Sequence, residues 1–302
     1  MCLRSCWMAV VVATALGPLF AAYGEGQLAA SLSEDRVDVT VNGKLFTSYR
    51  FAASQKYPYL FPLNGPRSGE SVTTESSEPY PHHHSLFFAC DKVNGGNYWQ
   101  EGNEAGQIVS QGPVVVENGA ARVVIEDQCI WRKADEDPIM RDRRRISVTA
   151  PDDDVRYVDF EIRLQPIVDV TIEKSNHSLF AARVVPELNV PSGGTLVNAE
   201  GMRNEKGTWG VPSAWCDISG PRNGSVEGIA ILQHPGNPWF PCRWFTRDYG
   251  FFSPTPIYWL EGDRLTLARG ESLALRYRVI VHAGSAEEAD IAAHFDAYAR
   301  GR

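Results

Sequence analysis

The chain of 302 residues has a formal net charge of -8 at pH 7, and 43% of its residues are hydrophobic. Its basic residues cluster in only one short run, RDRRR at residues 141–145. This balance argues against nucleic acid as a partner, because the phosphate backbone is bound by clustered positive charge. We interpret the basic run as a solvated strand rather than a binding patch.

The first 24 residues have the organisation of a secretory signal peptide. Arg4 precedes an apolar run from Trp7 to about Ala22, and small residues follow, which is the order of the charged, hydrophobic and cleavage regions. We therefore predict a signal at residues 1–24, a single domain over residues 25–302, and an exported protein that is periplasmic or secreted. An uncleaved N-terminal anchor is the alternative, and no later stretch is long enough to span a membrane.

The segments that follow have the composition of β-strands. Runs rich in Val, Ile, Thr, Tyr and Phe recur between turn signals, as in RVDVTVNGKLF from Arg36 and VEGIAILQ from Val226. Their period-two alternation and the Asn-Gly step between two runs are typical of β-hairpins. No repeat of fixed period appears, which disfavours propellers and β-helices. We predict an all-β fold, one large antiparallel β-sandwich.

Helical spacing is confined to the last stretch, from residue 285 onward. Ile291, Phe295 and Tyr298 fall on one helical face, and Ser285 stands in an N-cap position ahead of acidic residues. We expect a short C-terminal helix there.

Four cysteines lie beyond the signal and match no zinc-ribbon spacing. Export permits disulfides, and the pair we favour is Cys216 with Cys242.

The first candidate site is a run of three histidines, His82, His83 and His84, which leads into an apolar strand and an Asn/Gly turn at Asn94. Histidine titrates near neutrality and is the commonest metal ligand. On an extended strand His82 and His84 would share one face, whereas a bend at Pro81 would bring His82 and His83 together. For each imidazole, a purely structural hydrogen-bonding role is the alternative.

A second cluster, HPGNPWFPCRWFTRDYG, covers residues 234–250. His234 ends a predicted strand and could act as a base, an acid or a ligand. Arg247 either pairs with Asp248 or binds substrate, and Arg243 is the freer cation. We expect the two clusters to form the walls of one pocket.

Long insertions at residues 55–81 and 201–225 add aromatic and acidic side chains, and loops of this length are usually functional. Tryptophan is a stacking platform for pyranose rings as well as a core residue, and Trp215, close to Asp217, is the strongest candidate for such a platform. Glu187 and Glu200 are acids near predicted strand ends that could partner a histidine.

Several blocks in order along the chain resemble the PmoA-like family of exported bacterial proteins labelled methane oxygenase; they are KYPYLFPLNGP, PHHHSLFFACDKVNGGNYW, GTWGVPSAWCDISGP, GIAILQHPGNPWFPCRWFTRDYGFFSPTP and LRYRVIVHAG. The label names a membrane subunit and does not suit a chain of soluble strands. The family is similar to galactose mutarotase-like supersandwich proteins, which implies a concave β face that acts on carbohydrate.

The resemblance favours His82 and His83 as the site pair. It also implies an arginine where His84 stands, a His-Gly-Asp stretch where this chain has Cys90-Asp91-Lys92, and a histidine where it has Ser110. This chain is therefore a divergent member. If the implied arginine clamps a substrate carboxylate, we expect His84 to favour uronic acids only below about pH 6.5.

The leading hypothesis is an exported carbohydrate-active enzyme, an epimerase, lyase or hydrolase, that acts on a sugar or oligosaccharide. Its predicted catalytic residues are His82, His83, His234, Arg247 and Glu200. Its predicted substrate contacts are Asn94, Trp99, Trp209, Trp215, Asp217, Arg243 and Trp244. The alternatives are a noncatalytic glycan-binding module and an enzyme with a divalent metal on His82, His83, His234 and Glu200. No other cofactor is predicted.

Overall fold

The computed structural model describes residues 26–100, 102–176 and 178–301. The predicted signal at residues 1–24 lies outside them. Within this part of the chain, no helix is long and apolar enough to serve as a membrane span. The strands form two large antiparallel sheets that pack face to face, which confirms the predicted all-β sandwich.

The first sheet, which we call the front sheet, contains eight strands of the described chain. Their spatial order is β1 (Leu28–Leu32), β2 (Arg36–Val41), β3 (Lys44–Arg50), β4 (Tyr59–Leu63), β5 (Leu86–Cys90), β12 (Ser178–Arg183), β17 (Phe251–Pro254) and β16 (Trp244–Arg247). The predicted hairpin joins β2 and β3, where Asn42 and Gly43 have φ of 51° and 75°. Positive φ at both central residues is what a tight type I′ turn requires.

The second sheet, the back sheet, contains nine described strands. Their order is β13 (Thr195–Asn198), β14 (Trp215–Arg222), β15 (Ser225–Gln233), β19 (Leu273–Ala283), β10 (Val155–Pro166), β9 (Met140–Thr149), β8 (Val123–Arg132) and β6 (Gln107–Ser110), with β7 (Val114–Asn118) also paired to β8. A separate ribbon pairs β11 (Val170–Glu173) with β18 (Arg264–Leu267).

Short helical elements punctuate the strands. Single 3-10 turns cover Asn103–Ala105, Pro186–Leu188, Val190–Ser192 and Pro256–Trp259, and the α-helices are α1 (Asn204–Thr208) and α2 (Ile291–Ala299).

Aromatic side chains fill the space between the sheets. Phe180 of the front sheet stacks on Tyr277 of the back sheet with ring centroids 4.5 Å apart. This contact fixes which residues of each strand point inward.

Trp244 is fully buried, stacks on Phe252 and donates its Nε1–H to the Ser213 carbonyl. The ring therefore lies in the core, and this position gives no support to the predicted substrate contact.

The basic run at residues 141–145 is a strand, as predicted, and its arginines divide between two faces. Arg144 points inward and pairs with Asp142, which also accepts a hydrogen bond from Trp131 Nε1 at 2.7 Å. Both partners of this ion pair are buried. Arg143 and its alternate neighbours point outward and are exposed.

Helix α2 lies on the outer face of the back sheet. Ile291 and Tyr298 pack there against Trp215, Leu232 and Ile280. The predicted C-terminal helix is confirmed, but its N-cap is Asp290, whose Oδ1 accepts from the Ala293 N–H, rather than Ser285. The Ser285 Oγ instead accepts from the Glu288 N–H in the turn before the helix.

The four described cysteines, Cys90, Cys129, Cys216 and Cys242, are buried free thiols. The expected bridge between Cys216 and Cys242 is therefore absent from the described chain. Cys216 lies within β14, and the Cys242 thiol donates to the Arg243 carbonyl.

Candidate active site on the front sheet

A pocket of about 480 Å³ opens on the outer face of the front sheet. Ala182 faces the core with Phe180, and it pairs with Phe252, so the neighbouring pair Arg183 and Phe251 faces outward. The pocket is lined by Tyr80, His82, His83, Trp99, Gln100, Asn176, Glu205, Phe245, Arg247, Tyr249 and Phe251. It therefore gathers both the histidine run and the Arg247 segment.

A bend in the backbone places His82 and His83 side by side. The His83 N–H donates to the Tyr80 carbonyl, which closes a turn, and Tyr57 donates its hydroxyl to the His82 carbonyl at 2.6 Å. The two imidazole rings lie 4.6 Å apart and nearly perpendicular. The two rings are therefore adjacent, as a bend after Pro81 would place them.

His84 points away from this pocket. Its Nδ1 lies 2.7 Å from the Glu75 carbonyl oxygen, and its ring stacks on Tyr59. The idea that His84 meets a substrate carboxylate here is therefore not supported by its position, since it is not among the lining residues.

The buried imidazole is held between aromatic rings. Tyr80 stacks on His83 with centroids 5.0 Å apart, and Phe251 lies 4.5 Å away on the other side. His83 is 5% exposed, whereas His82 is only half-buried. His82 is accordingly the more accessible of the two groups.

A carboxylate and a guanidinium form an ion pair in the pocket wall. Arg247 Nη1 donates to Glu205 Oε1, and the Arg247 guanidinium lies over the Phe245 ring at 4.6 Å. The predicted partner, Asp248, instead accepts the Glu205 N–H at 2.7 Å and so caps α1. Glu205 is thereby the carboxylate of the site, a role the sequence had assigned to Glu200.

Tyr249 completes the wall above a buried arginine. The Arg183 guanidinium lies 4.3 Å from the centre of the Tyr249 ring. Burial raises the pKa of Tyr249 to about 12, and burial also lowers the pKa of Arg183. The phenol therefore stays protonated near neutral pH and can donate a hydrogen bond.

His234 lies on the opposite side of the molecule, so the second cluster is divided. Arg247 and Tyr249 of that cluster line the pocket, whereas His234 does not. Gln233 pairs with the inward-facing Tyr277, which turns His234 outward from the back sheet. Its ring contacts Tyr298 of α2 at 5.2 Å, and its Nδ1 accepts the Gly236 N–H. Burial, followed by the charge of Arg276, lowers its pKa.

Glu200 is also outside the pocket. It lies exposed in a turn closed by the Gly201 N–H and the Asn198 carbonyl. The predicted metal ligands His82, His83, His234 and Glu200 are therefore not assembled, because two of them lie elsewhere. Among the residues with described positions, no group of three or more His, Cys, Asp or Glu side chains could hold a metal ion.

Three further predicted contacts have structural roles. Trp215 packs against α2 and lines a separate cavity of about 520 Å³ beside it, and Asp217 is buried with its Oδ2 2.7 Å from His282 Nε2. The Asn94 side chain spans the Asp169 carbonyl and the Thr171 N–H within a turn.

Trp99 does line the pocket, although it is buried, and it forms an edge contact with His82. Trp209 is 40% exposed, and it packs with Trp259 and Tyr258 in a cluster that touches the pocket residue Phe245. Arg243 lies over Trp259 in the same cluster and donates to the Gly210 carbonyl. These residues extend the pocket with an exposed aromatic surface.

Sequence reasoning missed Glu205, Tyr80 and the Phe251 wall. Glu205 lies in the second long insertion, in the basic and acidic stretch MRNEK, which carried no motif. Tyr80 directly precedes Pro81 and the histidines, so proximity in sequence was an available signal.

Residues 36–296 match the model of a family of unknown function, DUF6807, and the chain belongs to that family. No curated protein matches the sequence. A galactose 1-epimerase from Lactobacillus acidophilus NCFM is similar in structure, with a TM-score of 0.42 and 9% identity over 87% of this chain and 100% of that chain.

Two further solved structures are similar at the level of the fold. A galactose mutarotase related enzyme from Lactobacillus acidophilus has a TM-score of 0.32 and 7% identity over 85% of this chain and 97% of that chain. A polysaccharide lyase has a TM-score of 0.29 and 11% identity over 87% of this chain and 33% of that chain.

Proposed function

We propose that this member of the DUF6807 family is a carbohydrate-active enzyme that works by proton transfer in the front-sheet pocket. The observation that carries the proposal is the convergence of His82, His83 and Glu205 on one pocket with aromatic walls. Its volume of about 480 Å³ falls in the range of small-ligand sites. We also propose that the protein is exported and that it is related to the PmoA-like proteins.

The pocket residues suit distinct roles. His82, the more accessible imidazole, moves a proton to or from a sugar oxygen, since imidazole is the side chain that most often serves as a general acid or base. His83 is held between Tyr80 and Phe251 and serves as the second proton-transfer group. In anomer interconversion, one group takes the proton of the C1 hydroxyl while the other protonates the ring oxygen, so that the bond from C1 to the ring oxygen breaks and the C1 carbonyl forms. After rotation about the C1–C2 bond, the two proton transfers run in reverse and close the ring, so that no water is consumed.

Glu205 and Arg247 are placed to bind and orient the sugar. The Glu205 carboxylate is fixed by Arg247 and by the Asp248 N–H, so its remaining lone pairs have a defined direction. Sugar hydroxyls both donate and accept hydrogen bonds, and a carboxylate beside a guanidinium offers partners of both kinds. The protonated Tyr249 phenol adds one more donor.

The test compares glutamine variants of the two pocket histidines with the same change at His234. We expect His82→Gln and His83→Gln to lower kcat/KM about 100- to 10,000-fold on the substrate found by a panel of sugars and oligosaccharides. Polarimetry follows anomer interconversion, and product ultraviolet absorbance and reducing ends follow lyase and hydrolase activity. His234→Gln should retain activity, because His234 lies on the opposite face. Equal losses in all three variants would contradict the proposal.

A noncatalytic glycan-binding module is the second candidate, and the exposed Trp209 favours it. A binder needs ring stacking and hydrogen bonds but no convergent titratable groups. In that case Trp209→Ala would weaken glycan affinity in calorimetry, His82→Gln would not, and no turnover would be detected on any member of the panel. Turnover that depends on His82 excludes this candidate.

A further inference from the structure

The back sheet has an open outer face beside α2. A cavity of about 780 Å³ lies there over β8, β9, β10 and β19. Asp127 and Arg144 point into the core, where they bond to Tyr49 and Asp142. Their neighbours along the strands therefore point outward, and the face carries four arginines and two glutamates, with the exposed Val114 and Val116 of β7 at its edge.

The strand register places these side chains in rows. One row runs Glu126, Arg145, Glu161 and Arg276 across four strands, so that charges of opposite sign alternate. The next row runs Gln128, Arg143, Arg163 and Ala274. In this second row two arginines stand directly opposite each other with no acid in the row.

The arginines of the face are incompletely paired. Arg145 forms an ion pair with Glu126, and Arg163 Nη1 donates to Ser272 Oγ at 3.0 Å. Among the described residues, the guanidinium groups of Arg143 and Arg276 have no hydrogen bond or ion pair. Like charges directly opposite on neighbouring strands destabilise a sheet, and a ligand that brings negative charge removes that cost.

We propose that this arginine face binds an anionic glycan, a chain that carries carboxylate or sulfate groups. Arg143 and Arg163 lie on adjacent strands, about 4.8 Å apart, so both can reach one anionic group. A guanidinium presents a planar fork that matches carboxylate and sulfate oxygens. Arg276, one strand further, takes the next anionic group along the chain.

The rest of the face favours a glycan over nucleic acid. The residues that line the cavity include no aromatic ring on which bases could stack. Glu161 stands between Arg145 and Arg276 and can accept hydrogen bonds from sugar hydroxyls, which a DNA backbone does not offer.

This face is independent of the front-sheet pocket, because the two lie on opposite outer faces of the sandwich. The inference therefore does not rest on the proposed enzymatic function. A variant in the pocket should leave binding to the arginine face unchanged, so the two proposals fail separately.

The experiment measures the binding of four oligomers of equal length by calorimetry: an oligogalacturonate, a heparin-derived oligosaccharide, a neutral maltooligosaccharide and single-stranded DNA. The test variant is Arg143→Gln with Arg163→Gln. The control is Arg36→Gln with Arg264→Gln, which removes the same charge from two exposed arginines that pair with neighbouring aspartates elsewhere.

We expect the wild type and the control to bind at least one acidic oligosaccharide, more weakly at high salt, and the test variant to lose at least about tenfold in affinity. The relative affinity of the first two probes shows whether carboxylate or sulfate is preferred. His83→Gln should bind as the wild type does. Urea unfolding checks that the test variant is folded, which we expect because it relieves a like-charge contact.

Three results would overturn the inference. They are the absence of binding to both acidic oligosaccharides, equal affinities in the test and control variants, and tighter binding of DNA than of either acidic glycan. The last result would assign the face to nucleic acid.

Discussion

Glu205 and Asp248 each accept a hydrogen bond from the other's backbone N–H. The Glu205 N–H donates to Asp248 Oδ1 at 2.7 Å, and the Asp248 N–H donates to Glu205 Oε2 at 3.1 Å. The exchange joins the first turn of α1 to the end of β16. Because Glu205 also accepts a hydrogen bond from Arg247 Nη1, its carboxylate is fixed by two consecutive residues at the end of β16.

Asp248→Ala should therefore destabilise the protein and disturb the pocket together. Loss of a capping acceptor costs about 1 kcal/mol in the free energy of unfolding, measured in urea. Asp248→Asn keeps an oxygen at this position and should cost much less. If the alanine and asparagine variants were equally stable, the side-chain oxygen would have no capping role.

The buried pair His282 and Asp217 should make stability depend on pH. Burial alone would lower the pKa of His282, but the Asp217 carboxylate outweighs it, and the pKa is raised above its usual value. A raised folded-state pKa gives stability that is fully present below the unfolded pKa of about 6.5 and lost as pH rises through the folded value. We expect His282→Gln to cost more unfolding free energy at about pH 6 than at about pH 9.

His234→Gln is the control with the opposite sign. The pKa of His234 is lowered, chiefly by burial, so any stability it contributes is present at high pH and is lost as pH falls. Urea unfolding of both variants beside the wild type, over the same pH series, makes the comparison. A cost of His282→Gln that grows with pH would show that the folded state does not favour the imidazolium.

Removal of Arg144 should be far more costly than removal of its neighbour. Arg144→Met leaves the buried Asp142 carboxylate without its cation and should cost about 3 to 5 kcal/mol of unfolding free energy. Arg143→Met changes an exposed position and should alter stability by less than about 0.5 kcal/mol. A second change, Asp142→Leu, should recover part of the loss in the Arg144 variant, and an additive double variant would argue against the pairing.

The four described thiols should resist modification in the native state. Burial raises the pKa of Cys90, Cys129, Cys216 and Cys242, and the thiolate is the reactive form. We expect maleimide labelling, mapped by mass spectrometry, only after denaturation. A Ser33→Cys variant places a thiol at an exposed position and should react at once. Labelling of native Cys216 at the rate of that control would contradict its burial.

Local patterns predicted the strands and the last helix because they depend on neighbouring residues. The Asn42-Gly43 turn and the spacing of Ile291 and Tyr298 needed no long-range information. Which outer face a residue occupies is a different matter. A sandwich has two outer faces, one on each sheet. His234 follows Gln233 at the end of β15 and lies on the outer face of the back sheet, and its motif carries no information about which sheet it belongs to.

Only part of the candidate site could be predicted, because its residues meet through contacts between distant segments. His82 and Arg247 are far apart in sequence, and their convergence was suggested by residue type and by the family resemblance. Glu205 joins them only because Asp248 holds α1 against β16, a contact without a local signature. Trp215 and Asp217 have the composition of a ligand site, but Trp215 packs against α2, about seventy residues further along the chain, and Asp217 is buried against His282.

The pocket and the arginine face lie on opposite outer faces of the sandwich, and this placement would determine the orientation of the protein on a negatively charged support. Attached through Arg143 and Arg163, it would turn the histidine pocket away from the support and toward the surrounding fluid. The anchored chain and the sugar in the pocket would then be different molecules, because the whole core separates them. Immobilisation on an anionic resin would thus leave the histidine pocket open.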